Sequence, residues 1–256
     1  MSDLFASPEM AAGYARSRPA VHPHVIEMAR ARLGLASPVD RALDVGCGAG
    51  LSTVPLKQLA KFSVGIEPAH AMVRSTPLRS DQLAYVGGRA EAMPVRADSM
   101  DLLTAAGSLN YVDLDAFFAE ASRVLRADGA LIVYDFSAGR SFGAATELEE
   151  WFNEFLLRYP RAAGAAFPLD PELLARVARG FRLVGSERFV VGLDLDQHAY
   201  CDYVMTETNV AHAIGQGTSA SAIRDWCSTT LSEVFGAGSR EVQFPGYLAH
   251  LVPLPS

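Results

Sequence analysis

The chain has 256 residues, half of them hydrophobic, enough to bury one large core or two small ones. A formal net charge of −7 with no basic run argues against a nucleic-acid surface, and no apolar run approaches the roughly 20 residues that span a bilayer. MSDLFASPEM lacks the basic and apolar regions of a signal peptide, and Cys47, Cys201 and Cys227 form no CxxC pair, so a reduced, cytoplasmic setting without disulfides or zinc is expected.

In chain order, Ser7-Pro8-Glu9 reads as an N-cap, a proline in the first turn and an acid, opening a helix through Tyr14. Pro23 opens a second helix that ends near Gly34. Five short apolar runs follow: RALDV, FSVGI, LAYV, MDLLTAA and ALIVYDF. Such runs are typical of strands buried on both faces. Helical patterns separate most of them. The clearest starts at the N-cap Asp113, with apolar Leu114, Phe117, Phe118, Ala121, Val124 and Leu125 at helical spacing, and Gly129 is expected to close it. Strand-helix-strand units of this size imply a parallel sheet with right-handed crossovers. Residues 141–180 then look helical, with Trp151, Phe152, Phe155 and Leu156 on one face. FRLVGSERFVVGL returns to strand period, and residues 196–236 look helical with a break at Gly215–Gly217. REVQFPGYLAHLV is a last strand pair or a bulged strand bent at Pro245-Gly246. With no linker-like stretch, one α/β domain is expected over 1–256. It would comprise a helical N-terminal gate (1–35), a core (36–140) and helical lid segments (141–180 and 196–236).

The stretch ALDVGCGAGLST, residues 42–53, carries the chemistry. Asp44, Gly46, Gly48 and Gly50 spell D-x-G-x-G-x-G at the end of the first buried strand. A phosphate loop needs Lys followed by Ser or Thr after its last glycine, and neither is present. The dinucleotide fingerprint places its third glycine three positions after the second; here the gap is two. An acid ahead of the glycines serves no pyrophosphate but suits a cation, such as the amino group of a bound amino-acid moiety. The glycines let the backbone come close to a ligand and adopt positive φ. Glu67 ends the next strand, one strand-helix-strand unit on, where an acid accepts hydrogen bonds from both ribose hydroxyls. That feature alone would suit NAD as well.

With GGRAEAMPV (87–95) and SLNYVD (108–113) added, the chain resembles the class I S-adenosylmethionine-dependent methyltransferases. The match runs in order from DVGCGAG through GIEPAHAM and RAEAMPVRADSMDLL to RVLRADGALIVYDF. Within the class it is similar to the type 11 group that holds trans-aconitate methyltransferase and the quinone-biosynthesis C-methyltransferases. AAGYARSRPAVHP, near the N-terminus, is similar to that group too.

The resemblance implies a Rossmann-like, seven-stranded, mostly parallel sheet with helices on both faces and a helical lid inserted in the C-terminal half. It implies S-adenosyl-L-methionine as cofactor, S-adenosyl-L-homocysteine as product and a small-molecule acceptor, with neither nucleic acid nor membrane as partner. Asp44 would hold the methionine amino group, directly or through water, and the backbone of Gly46, Cys47, Gly48 and Gly50 would line the ligand. Glu67 would bind the ribose diol, and Pro68 and Met72 would pack on the adenine. Ala90 would read the adenine through its backbone, with Glu91 either accepting from its amino group or standing as a solvated acid. Gly107 and Ser108 would sit beside the sulfonium. Arg89 departs from the pattern, where relatives often carry Asp.

Asn110 and Tyr111 either orient an acceptor or fill the cleft wall. Tyr14 and Arg18, spaced i, i+4, either close over the ligand or belong to a plain amphipathic helix. Cys47 reads as a small packing residue rather than a nucleophile, and the Trp151–Phe155 stripe as core rather than a substrate cage. No His/Asp pair stands in the cleft segments, which favours a transfer with little or no base assistance. Two alternatives are a protein that binds S-adenosylmethionine without transferring methyl, as a cyclase or regulator, and an NAD-dependent oxidoreductase.

Overall fold

The computed structural model describes residues 8–76, 80–162 and 167–255; Ser7, the expected N-cap, lies outside them. Among the described residues seven strands form one sheet: β1 (Val39–Val45), β2 (Ala60–Glu67), β3 (Leu83–Gly87), β4 (Met100–Ala106), β5 (Leu125–Phe136), β6 (Phe181–Asp196) and β7 (Ser239–Pro253). Their order is β3-β2-β1-β4-β5-β7-β6. The pairs β3·β2, β2·β1, β1·β4 and β4·β5 are parallel, and β7 runs antiparallel to β5. The five runs read as buried strands are β1 to β5. The helices are α1 (Pro8–Ser17), α2 (Val21–Leu33), α3 (His70–Arg74), α4 (Leu114–Val124), α5 (Glu147–Arg158), α6 (Pro171–Val177), α7 (Gln197–Val204), α8 (Thr208–Gly215) and α9 (Ala220–Phe235).

The chain divides into two compact units. One comprises His22–Phe136, Ala166–Phe189 and Gly246–Ser256; the other comprises Met1–Val21, Ser137–Ala165 and Val190–Pro245.

In the first unit the sheet core is aliphatic and aromatic. Leu43, Ile66, Leu103 and Leu131 pack with Phe117 and Phe118 of α4. Helix α4 starts as its sequence dictates, the Asp113 side chain accepting from the Ala116 N–H at 3.1 Å. It ends at Val124, however, and β5 begins at once with Leu125 already extended (φ −73°, ψ 144°). Gly129 therefore lies inside β5 and does not close α4. Leu125 is drawn into register with Met100, and the register then shifts before Leu102 pairs with Ala130. A Cβ on Gly129 would lie 2.8 Å from Leu125 Cδ2, so the glycine serves this irregularity in the ladder. Helix α2 begins at Val21, two residues before Pro23, because proline is tolerated anywhere in a first turn. Between β1 and β2 the chain forms turns and a 3-10 helix (Val54–Gln58) rather than an α-helix, with Pro55 unable to donate.

In the second unit the aromatic stripe is core, as its spacing suggests. Trp151 is 5% exposed and Phe155 fully buried. The Trp151 ring stacks on Phe155 at 5.3 Å and on Trp226 of α9 at 5.6 Å, and its indole N–H donates to Thr230 Oγ1 at 2.7 Å. The helical reading of 141–180 resolves into α5 and α6, and that of 196–236 into α7, α8 and α9. The expected break at Gly215–Gly217 is joined by one at Met205–Glu207, where Thr206 Oγ1 donates to the Tyr203 carbonyl. The C-terminal stretch is one strand, β7, continuous through Pro245-Gly246.

Candidate functional site

In a doubly wound sheet, ligands sit outside the carboxyl ends of the strands where the order reverses. Here that point is the β1/β4 boundary: β2 and β3 lie to one side of β1, β4 and β5 to the other. The two turns that flank it are Gly46–Gly50 after β1 and Gly107–Ser108 after β4.

The β1 turn is built on left-handed backbone, with Gly46, Gly48 and Gly50 at φ +70°, +53° and +84°. Two of them also have no room for a side chain. A Cβ on Gly46 would stand 2.4 Å from Ser108 Cβ, and one on Gly50 would stand 2.7 Å from the Tyr85 ring. Ser108 is pinned in turn, its hydroxyl donating to the Val45 carbonyl at 2.6 Å.

Asp44 lies beneath the turn with no exposure. Its carboxylate accepts three hydroxyls: Ser52 at 2.6 Å and Thr53 at 2.7 Å on one oxygen, Thr104 at 2.8 Å on the other. Ser52 and Thr53 follow the glycines and Thr104 belongs to β4, so this one side chain ties the turn to both strands. Burial pushes the Asp44 carboxyl above the ordinary carboxylate range, and the three hydroxyls pull it back. A carboxyl that holds its proton more firmly folded than unfolded contributes stability that fades as pH rises above about 4, through the unfolded value to the folded one. The expected result is that the unfolding free energy of Asp44→Asn gains on the wild type over that interval and then stays level. Urea midpoints measured across pH test it; a gap independent of pH would mean that the Asp44 proton plays no part.

Glu67 is half-buried at the tip of β2. Its two oxygens accept the N–H of Gly48 at 3.1 Å and of Ala69 at 2.9 Å. Burial raises its pKa, with the Ala69 and Gly48 amides opposing. The acid is thus already aimed at the glycine turn. Met72 sits against the same turn, its methyl 3.2 Å from where a Gly48 Cβ would be, while Pro68 is exposed. The Cys47 side chain packs with Val73 and Tyr85, and burial together with the charges of Asp44 and Glu67 drives its thiol far up. It is packing, not a nucleophile.

Residues 89–95 are held by α4. Glu120 accepts the Met93 N–H at 2.7 Å, and Arg123 donates to the carbonyls of Met93 and Val95, each at 2.9 Å. Ala90 is buried there. Glu91 pairs with Arg89 at 3.5 Å and accepts the Asp113 N–H at 3.3 Å. On the β4 side Gly107 (φ +59°) leads into a 3-10 turn, Leu109–Tyr111. Asn110 Nδ2 donates to Asp135 Oδ2 at 3.0 Å, and Tyr111 is 45% exposed.

Tyr14 and Arg18 belong to the second unit. α1 ends at Ser17, and the Arg18 guanidinium lies 4.4 Å over the Tyr14 ring and 3.0 Å from Glu207, donating also to the Thr206 carbonyl. Among the described residues no group of three or more His, Cys, Asp or Glu is placed to hold a metal ion, and no helix is long and apolar enough to cross a membrane.

Three contributions escape a reading by motif. Tyr85 backs the glycine turn, Glu120 and Arg123 clamp the 89–95 loop, and Asp135, next to last in β5, stands beside Gly107. The first two are signalled by nothing but contact across the fold. Asp135 had a sequence signal, an acid closing an apolar strand.

A glycine turn at the switch point of an α/β sheet, with an acid on the next strand reaching back to it, is the arrangement that the resemblance to the class I S-adenosylmethionine-dependent methyltransferases implies. The comparisons agree. Residues 43–133 match the family model described as a methyltransferase domain. A demethylmenaquinone methyltransferase of Mycobacterium marinum is 31% identical over 146 residues, 57% of this chain and 61% of that one. A Dictyostelium discoideum protein named as a methyltransferase is 32% identical over 97 residues, 38% of this chain and 36% of its own. The chain thus spans less than two thirds of the length of these curated relatives. Among solved structures, one described as a type II methyltransferase from Anaeromyxobacter dehalogenans superposes with a TM-score of 0.65 at 21% identity, covering 94% of this chain and 99% of that one. The cyclase SpnF superposes with a TM-score of 0.56 at 19% identity, covering 91% and 82%.

Proposed function

We propose that the protein transfers a methyl group from S-adenosylmethionine to a small-molecule acceptor. The observation that carries this reading is Glu67, whose carboxylate is held by the Gly48 amide beside a turn of three left-handed glycines. The cradle fits the ligand: three left-handed glycines leave backbone bare in the turn, and the Glu67 carboxylate beside it can accept from a ribose diol. The bound sulfonium supplies an already activated methyl group.

The chain's own residues would bind, align and dehydrate. Glu67 would take the ribose hydroxyls on the lone pairs that its two amides leave free. Met72 and Ala90 would face the adenine, with Glu91 or a backbone group at its amino edge and Pro68 beside it. Asp44 keeps the turn in shape and adds negative charge beneath the methionine amino group. The backbone of Gly46, Cys47, Gly48 and Gly50 would line the ligand, and Gly107 and Ser108 would stand on the sulfonium side. Holding the acceptor on the methyl axis is worth roughly 7–11 kcal/mol in such a displacement. The demethylmenaquinone methyltransferases among the relatives favour an apolar small molecule over a macromolecule as acceptor.

S-adenosylmethionine and S-adenosylhomocysteine are expected to raise the melting temperature by mass action, and NAD is not. Stabilisation by NAD alone would reverse the assignment. Glu67→Ala is expected to weaken binding by about 1–3 kcal/mol, the loss of hydrogen bonds to a charged group, with the fold intact. Titration calorimetry reads this directly; an unchanged affinity would place the ribose elsewhere.

A further inference from the structure

The parallel strands β1, β4 and β5 are neighbours, so their carboxyl ends stand in a row. That row carries Gly46, then Gly107 and Ser108, then Asp135. The contacts along it are continuous. A Cβ on Gly46 would meet Ser108, and one on Gly107 would lie 2.9 Å from Asp135 Oδ1. The position in front of the Asp135 carboxyl is thus a glycine, with no side chain to cover it. The carboxyl is oriented on both oxygens: Oδ1 accepts the Phe136 N–H at 2.8 Å, and Oδ2 accepts Asn110 Nδ2 at 3.0 Å. Each oxygen keeps a lone pair for a further donor.

We propose that Asp135 is the general base of the transfer, positioned by Asn110, and that the acceptor is a weak acid such as a phenol, an enol or an activated C–H, which arrives still protonated. This rests on the methyltransferase reading above. The acceptor's X–H bond breaks toward the Asp135 carboxylate and its electron pair forms the bond to the methyl carbon. The carbon–sulfur bond breaks with its pair left on sulfur. The carboxylate becomes a carboxylic acid and the sulfonium a neutral thioether, so charge balances, and the proton then passes to water. Burial strengthens Asp135 as a base by raising its pKa, with Asn110 and the Phe136 amide opposing. The groups that face it are Asn110 from the turn after β4 and Tyr247, its direct partner on β7, with Asp170 at the start of α6 beyond. The Tyr247 phenol is held protonated by burial and by these two carboxylates, so it does not compete for the proton.

Two measurements test this. In the first, methyl-labelled S-adenosylmethionine is incubated with 2-naphthol, which needs a base, or with decanoate, which does not. Wild type is expected to methylate 2-naphthol. Asp135→Asn is expected to cut that rate at neutral pH by about 100-fold or more, leaving a residue of activity that climbs with pH as the phenol ionises by itself. Asn110→Ala is expected to lower kcat with little change in KM and to move the acid limb of the pH profile upward. In the second, calorimetry in buffers of different ionisation heat counts protons as pH is stepped from about 4 to 7. S-adenosylmethionine, bringing a positive charge, is expected to displace a proton from wild type that Asp135→Asn does not release, and S-adenosylhomocysteine is expected to displace none. Equal turnover in Asp135→Asn, methylation of decanoate in preference to 2-naphthol, or the same proton count in variant and wild type would overturn the inference. If neither probe is methylated, the proton count decides alone. Absence of S-adenosylmethionine binding to wild type would instead remove the functional reading beneath it.

Discussion

Replacing Gly46 by alanine is expected to lower the unfolding free energy by about 2–5 kcal/mol and to abolish S-adenosylmethionine binding. Two costs add. A φ of +70° is left-handed backbone, worth roughly 1–2 kcal/mol to any residue with a Cβ. The new methyl would also stand 2.4 Å from Ser108 Cβ, and relieving such overpacking costs about 1–3 kcal/mol. Ser108 cannot step aside cheaply, because its hydroxyl is bound to the Val45 carbonyl on the strand that feeds the turn. The double variant Gly46→Ala/Ser108→Gly separates the costs: it removes the collision and keeps the backbone strain, so it is expected to recover part of the loss. Urea unfolding of Gly46→Ala, Ser108→Gly and the double variant checks the cycle. No recovery in the double variant would show that the strain is conformational throughout.

Asp44→Ala is expected to cost about 2–4 kcal/mol and to weaken cofactor binding at least tenfold. The substitution leaves Ser52, Thr53 and Thr104 without their acceptor, all three within 5% of complete burial. Part of the loss is offset because a buried carboxylate no longer has to be desolvated. The effect on binding follows from position: Ser52 and Thr53 are the residues by which the glycine turn is fastened to β1. Asp44→Asn keeps one acceptor oxygen and is expected to fall between wild type and alanine in both stability and affinity. If Asp44→Ala binds S-adenosylmethionine as wild type does, the turn keeps its shape without the carboxylate and Asp44 is a stability residue only.

What the sequence made legible follows from how local each constraint is. The strands β1 to β5 were readable because apolar runs of that length bury both faces, and the glycine turn because no side chain tolerates its backbone. Glu67 was readable from its offset along one βαβ unit. Gly129 misled: a glycine after an amphipathic run suggests a helix cap, and only the pairing of Leu125 with Met100 shows that the strand had already begun. The three hydroxyls on Asp44 come from two segments of the chain, and no spacing rule links Thr104 to Asp44. Asp135 looked like the end of a strand. The expectation of a transfer with little base assistance came from searching for a His/Asp pair along the chain. The base proposed above, Asp135, is paired instead with Asn110 of the turn after β4.

The place of β7 has a consequence for how the chain is made. It lies between β5 and β6, so β6 joins the sheet only through a strand that follows it in the sequence. On a ribosome adding about 5–20 residues per second, β1 to β5 can assemble as soon as they emerge, while β6 waits several seconds for its partner. During that wait β5 and β6 each present an open row of backbone donors and acceptors. Nascent chains halted after β6 are therefore expected to be bound by chaperones and cut by proteases, and the same chains released after β7 to resist both.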